Sequence, residues 1–155
     1  MRFLYYYETP IGKIGIAEQD EHITHIFFEG EDISSLEKFQ NKETPILKEA
    51  NMQLQEYFKG QRTDFSLPLA AVGTAFMLRV WDALREIPYG ETRSYKDIAI
   101  AAGNSKACRA VGMANNRNPI AIIIPCHRVI GSNGALVGYG GGLHIKSFLL
   151  DLEKR

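Results

Sequence analysis

The segment NPIAIIIPCHRVIG, Asn118 to Gly131, constrains this chain more than any other. Its isoleucine-rich run, Ile120 to Ile124, reads as a short buried β-strand. Pro125 has no N–H to give a sheet ladder, so it ends that strand and carries Cys126 and His127 out of the core. A thiol beside an imidazole at such a point is a nucleophile with a candidate base. Adjacent side chains in extended chain point apart, so a bridging water is the alternative to direct contact. For a cysteine and a histidine that are merely adjacent, two unrelated packed neighbours are the ordinary reading.

With 155 residues, 45% of them hydrophobic, the chain can bury the core of one domain or of two small ones. Basic and acidic residues balance at 18 each, so no overall field points to a nucleic acid. The balance is uneven along the chain: residues 1–85 carry 9 basic and 13 acidic side chains, and residues 86–155 carry 9 and 5. A polyanion partner for the second half is one reading of that asymmetry, and an ordinary solvated surface is the other. Two cysteines, Cys108 and Cys126, cannot make a disulfide framework and predict a reduced, cytoplasmic protein. MRFLYYYETP is no signal peptide, and no apolar stretch approaches the roughly 20 residues that span a bilayer. His22, His25, His127 and His144 share no metal-ligand spacing with the cysteines, so no metal site is predicted.

Residues 3–30 alternate β-branched or aromatic residues with turn signals, predicting two or three antiparallel strands. Thr44 caps and Pro45 opens a helix with the stripe Leu47, Ala50, Leu54, Tyr57 and Phe58, closed by Gly60. Residues 61–73 have no period and read as a linker. A second amphipathic helix carries Phe76, Met77, Val80, Trp81 and Leu84 and stops before Pro88. Ser94 and Asp97 form a capping-box start, Gly103–Asn104 break that helix, and another begins at Ser105 and frays by Asn115–Asn116. Helix, glycine turn, helix is a helix-turn-helix pattern, though any αα-hairpin matches it. Ala107, Ala110, Gly112 and Ala114 are small, with Lys106, Arg109 and Arg117 supplying charge. Such a helix suits close approach to a DNA groove or tight internal packing. A glycine-rich loop, GSNGALVGYGGGL, precedes a last helix packing Ile145, Phe148, Leu149 and Leu152, with Glu153 near its end.

IPCHRVIG resembles the signature of the O6-alkylguanine-DNA alkyltransferases. GTAFMLRVWDALREIPYGETRSYKDIA, KACRAVGMANNRNP and GGLHIKSFLLDLE resemble the same family in order and spacing. The resemblance implies an α+β protein. A small antiparallel-sheet domain, ribonuclease-H-like, would span residues 1–65. A mostly helical domain with a helix-turn-helix and a short strand pair would span 66–155. It implies DNA repair by direct reversal: one irreversible transfer of the alkyl group from O6-alkylguanine, and from O4-alkylthymine, to Cys126. By position, His127 activates the thiol, Glu153 orients the imidazole, Tyr95 assists the departing guanine, and Asn118 braces the turn. Arg109 fills the gap left by a flipped nucleotide, with Ser94, Lys106, Ala107, Ala110 and Arg117 on the DNA. Val129, Tyr139, Gly140 and Gly141 line the base pocket, whose width Ala121 and Gly140 would set.

The expected partner is double-stranded DNA, entered from the minor groove by a monomer that can associate on DNA, with no membrane and no cofactor. A thioether on an unactivated carbon has no good leaving group, so the protein acts once. A non-catalytic lesion sensor and a thiol hydrolase built on Cys126, His127 and Glu153 are the rival readings.

Overall fold

The computed structural model describes residues 1–136, 139 and 141–154. The chain divides into two compact units, Met1–Ala71 and Val72–Arg155.

In the first unit β1 (Arg2–Thr9), β2 (Gly12–Gln19) and β3 (His22–Phe28) form an antiparallel meander. A two-residue strand, β4 (Gln40–Asn41), adds to β1 in parallel, giving the order β3-β2-β1-β4. Asp20 and Glu21 join β2 to β3 with φ of 51° and 65°. Two positive-φ residues are what a tight hairpin turn needs if its twist is to match that of the strands. Leu4, Ala17 and Phe27 pack with Leu36 on one face of the sheet. Gly15 is required there, since a Cβ at that position would overlap the Phe27 ring. The alternate residues Ile14 and Ile16 lie on the other face, against which α1 (Pro45–Phe58) packs. Thr44 Oγ1 caps α1 by accepting from Leu47 N at 3.4 Å, and the predicted stripe is buried.

Residues 66–71 are not the loose linker predicted from their composition. Ile23 N donates to Pro68 O and Ala70 N to Ile23 O, both at 2.8 Å, and Ser66 N donates to the Gln53 amide. These bonds tie the segment to the sheet and to α1, so the division falls after Ala71 rather than after residue 65.

In the second unit α2 (Ala75–Arg85), α3 (Tyr95–Ala101), α4 (Cys108–Asn116) and α5 (Leu143–Glu153) surround a parallel strand pair, β5 (Arg93–Ser94) with β6 (Val129–Ile130). The capping box forms: Asp97 N donates to Ser94 Oγ at 3.1 Å, and Ser94 N to Asp97 Oδ2 at 3.0 Å. The helix predicted from Ser105 starts later. Asn104 holds the intervening turn, accepting Lys106 N on its side chain and Ala107 N on its carbonyl, both at 3.1 Å. Lys106 and Ala107 therefore precede α4. In α5 Phe148 is only half-buried, while Lys146 and Leu150 are buried with Ile145, Leu149, Leu152 and Glu153.

The largest departure is at Ile120–Ile124. The run is buried, as expected, but it is a pair of overlapping turns and not a strand. Ile123 N donates to Ala121 O and Ile124 N to Ile120 O, both at 2.9 Å, around an Ile122 at φ 74°. A β-branched residue there is strained, and so is the tight γ-turn it centres. Pro125, at φ −81° and ψ 65°, centres a second γ-turn of the relaxed kind, closed by Cys126 N on Ile124 O at 2.8 Å.

Candidate active site

Pro125 does not push the next residues into solvent. Cys126, His127 and Arg128 form one turn of 3₁₀ helix, and all three are buried. The turn is bracketed by asparagines. Asn118 Nδ2 donates to Ile124 O at 2.7 Å while its Oδ1 accepts Ile120 N at 3.0 Å, so one side chain clamps both ends of the isoleucine turn. Asn115 Nδ2, on the last turn of α4, donates to Cys126 O at 3.3 Å.

Behind the turn lies a buried charge cluster. His127 Nε2 meets Glu153 Oε2 at 2.7 Å, and Arg128 forks onto the same carboxylate at 2.8 and 3.0 Å. Arg128 also donates to Ile87 O at 2.7 Å, and Gly90 N reaches Glu153 Oε1 at 3.4 Å. Gly90 sits at φ 82°, and a Cβ there would stand 3.1 Å from Glu153 O, so the approach requires glycine. Arg128 and Gly90 can only donate, so the Glu153 carboxylate is their acceptor and takes its remaining bond from a protonated Nε2 of His127. It fixes the proton of a neutral His127 on Nε2, which leaves Nδ1 as the basic nitrogen. Nδ1 is buried and has no hydrogen-bond partner among the described residues. Burial depresses the His127 pKa below its ordinary value, against the pull of Glu153.

Burial pushes the Cys126 thiol up to about 11, so at neutral pH it holds its proton. Hydrogen bonding from Asn118 and Tyr139 and the charge of Lys146 act the other way. Tyr95, half-buried at the start of α3, is raised by burial and then by the Cys126 charge. The structure thus joins His127 to Glu153, and it brings Asn118, Tyr95, Tyr139 and Lys146 to bear on the Cys126 thiol. Val129 adjoins it in β6, its N–H closing the 3₁₀ turn on Cys126 O. Gly141 lies in the turn before α5, and Gly140 falls outside the described residues.

The residues expected on DNA divide differently. Lys106, Arg109, Ala110 and Arg117 are exposed, Ala107 is half-buried, and Ser94 is half-buried with its hydroxyl engaged as the α3 cap. Met113, one helical turn after Arg109, is 55% exposed. Three residues of the site went unrecognised in the sequence. Arg128 is committed to Glu153 and Ile87. Asn115 holds the Cys126 carbonyl. Lys146 is wholly buried, and its pKa is lowered by that burial and raised by Cys126. The signal for Lys146 was its spacing: seven residues before Glu153, it shares that helix face with Leu149 and Leu150.

A buried protonated thiol, an imidazole beside it in the chain and a carboxylate on that imidazole are the groups that a nucleophile–base–carboxylate series requires. Comparison with known proteins places them. The family profile described as 6-O-methylguanine DNA methyltransferase, DNA binding domain, matches residues 75–155, and the profile of that family's ribonuclease-like domain matches residues 3–71. The constitutive methylated-DNA–protein-cysteine methyltransferase of Bacillus subtilis (strain 168) is 54% identical over 152 residues, 95% of this chain and 92% of that protein. A methylated-DNA–protein-cysteine methyltransferase of Methanosarcina acetivorans is 51% identical, over 97% of this chain and 98% of its own. The crystal structure of Mycobacterium tuberculosis O6-methylguanine methyltransferase matches with a TM-score of 0.93 at 45% identity, over 99% of this chain and 93% of that one. A Mycobacterium tuberculosis relative solved in complex with DNA matches at 0.92 and 45%, over 98% and 92%. The chain belongs to the 6-O-methylguanine DNA methyltransferase family.

Proposed function

We propose that Cys126 is the acceptor in a single-turnover DNA repair reaction that strips the alkyl group from O6-alkylguanine, and from O4-alkylthymine, in double-stranded DNA. The observation that carries this reading is the thiol itself, 5% exposed in a turn clamped by Asn118, with the His127–Glu153 pair at 2.7 Å behind it. A thiol so buried serves a substrate that enters the protein. A stacked, paired base cannot do that, so the damaged nucleotide is flipped out, at a cost of about a few kcal/mol. The exposed arginine of α4, Arg109, fills the gap from the minor-groove side, with Lys106 and Arg117 on phosphates.

The thiol proton passes to His127 Nδ1 through one water, and Glu153 stabilises the resulting imidazolium. Sulfur attacks the alkyl carbon as the carbon–O6 bond breaks, leaving its electron pair on guanine. The Tyr95 hydroxyl donates to the departing base, and the Lys146 charge favours the thiolate. The bonds balance with no cofactor, and the thioether stays. Free thiols at Cys108 and Cys126 suit a reducing, cytoplasmic setting, and a monomer suffices for the chemistry.

The test is intact mass after mixing with a duplex carrying one O6-methylguanine. A gain of one methylene, mapped to Cys126 and absent in Cys126→Ser, is expected. Binding without mass gain would replace the reading with a lesion sensor, and turnover on esters would replace it with a thiol hydrolase.

A further inference from the structure

We infer that Asn115 is a positioning residue that couples the DNA-facing helix to the acceptor peptide. The inference rests on the reading of Cys126 as acceptor and of α4 as the helix that meets DNA. Helix α4 has two faces: Arg109, Ala110, Met113 and Asn116 are exposed, and Val111, Ala114 and Asn115 are buried. Asn115, 2% exposed, spends its amide N–H on Cys126 O at 3.3 Å. The same carbonyl accepts Val129 N–H, so both of its lone pairs are used and the Cys126–His127 peptide plane is set from two sides. That one peptide joins the acceptor to its base.

Asn115 differs from Asn118 in what it ties. Asn118 holds the entrance of the turn to itself, from Ile120 to Ile124. Asn115 ties the turn to a separate element, and that element is itself anchored. The indole N–H of Trp81 on α2 donates to Ala114 O at 2.9 Å, at the residue preceding Asn115. A shift of α4 against a duplex is therefore delivered at Ala114–Asn115 and passed to the peptide that aims the sulfur.

The amide is also retained at a cost. Asn115 Oδ1 is buried with no hydrogen-bond partner among the described residues. Leucine has the same branched skeleton, with methyl groups in place of the amide oxygen and nitrogen, and would carry no orphaned acceptor. A buried unpaired atom in a native protein calls for a reason, and the bond to Cys126 O supplies it.

The experiment measures second-order rates of alkyl transfer to Cys126 from two substrates: a duplex bearing one O6-methylguanine, and the free base O6-benzylguanine, which makes no demand on α4. For Asn115→Leu the duplex rate is expected to fall about 10- to 100-fold, the range that a misplacement of order 1 Å produces. The free-base rate falls by a clearly smaller factor, and duplex affinity and Tm stay close to those of the native protein. Asn115→Gln, which keeps a donor but moves it by one methylene, shows the same duplex-selective loss at smaller size, and serves if the leucine variant folds poorly. Equal losses on both substrates, or loss on neither, would overturn the coupling. Native protein that alkylates Cys126 from neither substrate would overturn the acceptor assignment beneath it, and Cys126→Ser as a control separates that failure from the others.

Discussion

Strand β3 and the turn at Ile120–Ile124 are made of the same material and fold in opposite ways. Both are rich in isoleucine, and both bury it: Ile23 and Ile26 in β3, all of Ile120 to Ile124 in the turn. In β3 the main chain is satisfied by β2 on one side and by the Pro68–Ala70 segment near its start. In the turn the main chain doubles back on itself, and a single amide, Asn118, holds both ends. β-Branched apolar residues thus dictate burial, and the available hydrogen-bond partner dictates extension or turn. The sheet has many interchangeable bonds. The turn depends on a few side chains and a buried charge cluster, and it should be correspondingly fragile.

The sharpest test of that contrast is Glu153. Glu153→Gln leaves Arg128 buried and without its counter-charge, and should cost about 3–5 kcal/mol in urea unfolding. Glu56→Gln, which breaks the partly exposed Arg62–Glu56 pair of the first unit, should cost under about 1 kcal/mol. Equal costs would erase the distinction.

Asn118→Ala comes next. It takes the side-chain partner from Ile120 N and leaves Ile124 O with Cys126 N alone, at about 1–3 kcal/mol for the buried group left unpaired. Alkyl transfer should fall with it, because the peptide run carrying Cys126 loses its brace. Equilibrium unfolding and single-turnover rates read the two effects separately.

A smaller effect separates two buried isoleucines. Ile16, in β2, and Ile122, in the turn, are both almost wholly buried, but only Ile122 has a positive φ. Ile122→Gly should cost about 1–2 kcal/mol less than Ile16→Gly, since glycine relieves the left-handed conformation. The same cost at both sites would mean that the turn stores no strain.

The smallest expected effect is on pH. The folded state holds His127 neutral, with its pKa lowered by burial. In the unfolded chain the imidazole takes a proton near pH 6.5. Below that pH the unfolded state binds more protons, so stability falls as pH falls, and it is complete above about 6.5. Tm against pH should decline on the acid side, and His127→Gln should flatten the decline. A slope unchanged by that substitution would place the acid sensitivity elsewhere.

Local chemistry was legible wherever a local rule sufficed. The three strands of the meander, the Thr44–Pro45 start of α1 and the Ser94–Asp97 box each need only residues a few positions apart. Cys126, His127 and Glu153 were legible as a set only through family resemblance, since nothing in their spacing joins residues 127 and 153. β4 escaped notice because two residues carry no period. Arg128 and Lys146 escaped because charged residues in a sequence read as surface. Each is buried only because α5 packs against the 3₁₀ turn, which sets Arg128 on Glu153 and the Lys146 charge toward Cys126.

What the sequence determined by itself was that its isoleucine run and the stripe of α1 would be hidden and that α1 and α3 would begin at their caps, because apolar burial and capping are properties of the residue types and their immediate neighbours. Only the tertiary structure decided that an isoleucine run would turn and not extend, and that a thiol after a proline would be covered. Only there did two asparagines acquire their partners on the acceptor turn. Those outcomes depend on which main-chain groups have a partner within reach, and the partners are supplied by packing α4 and α5 around a segment that finds no strand to join.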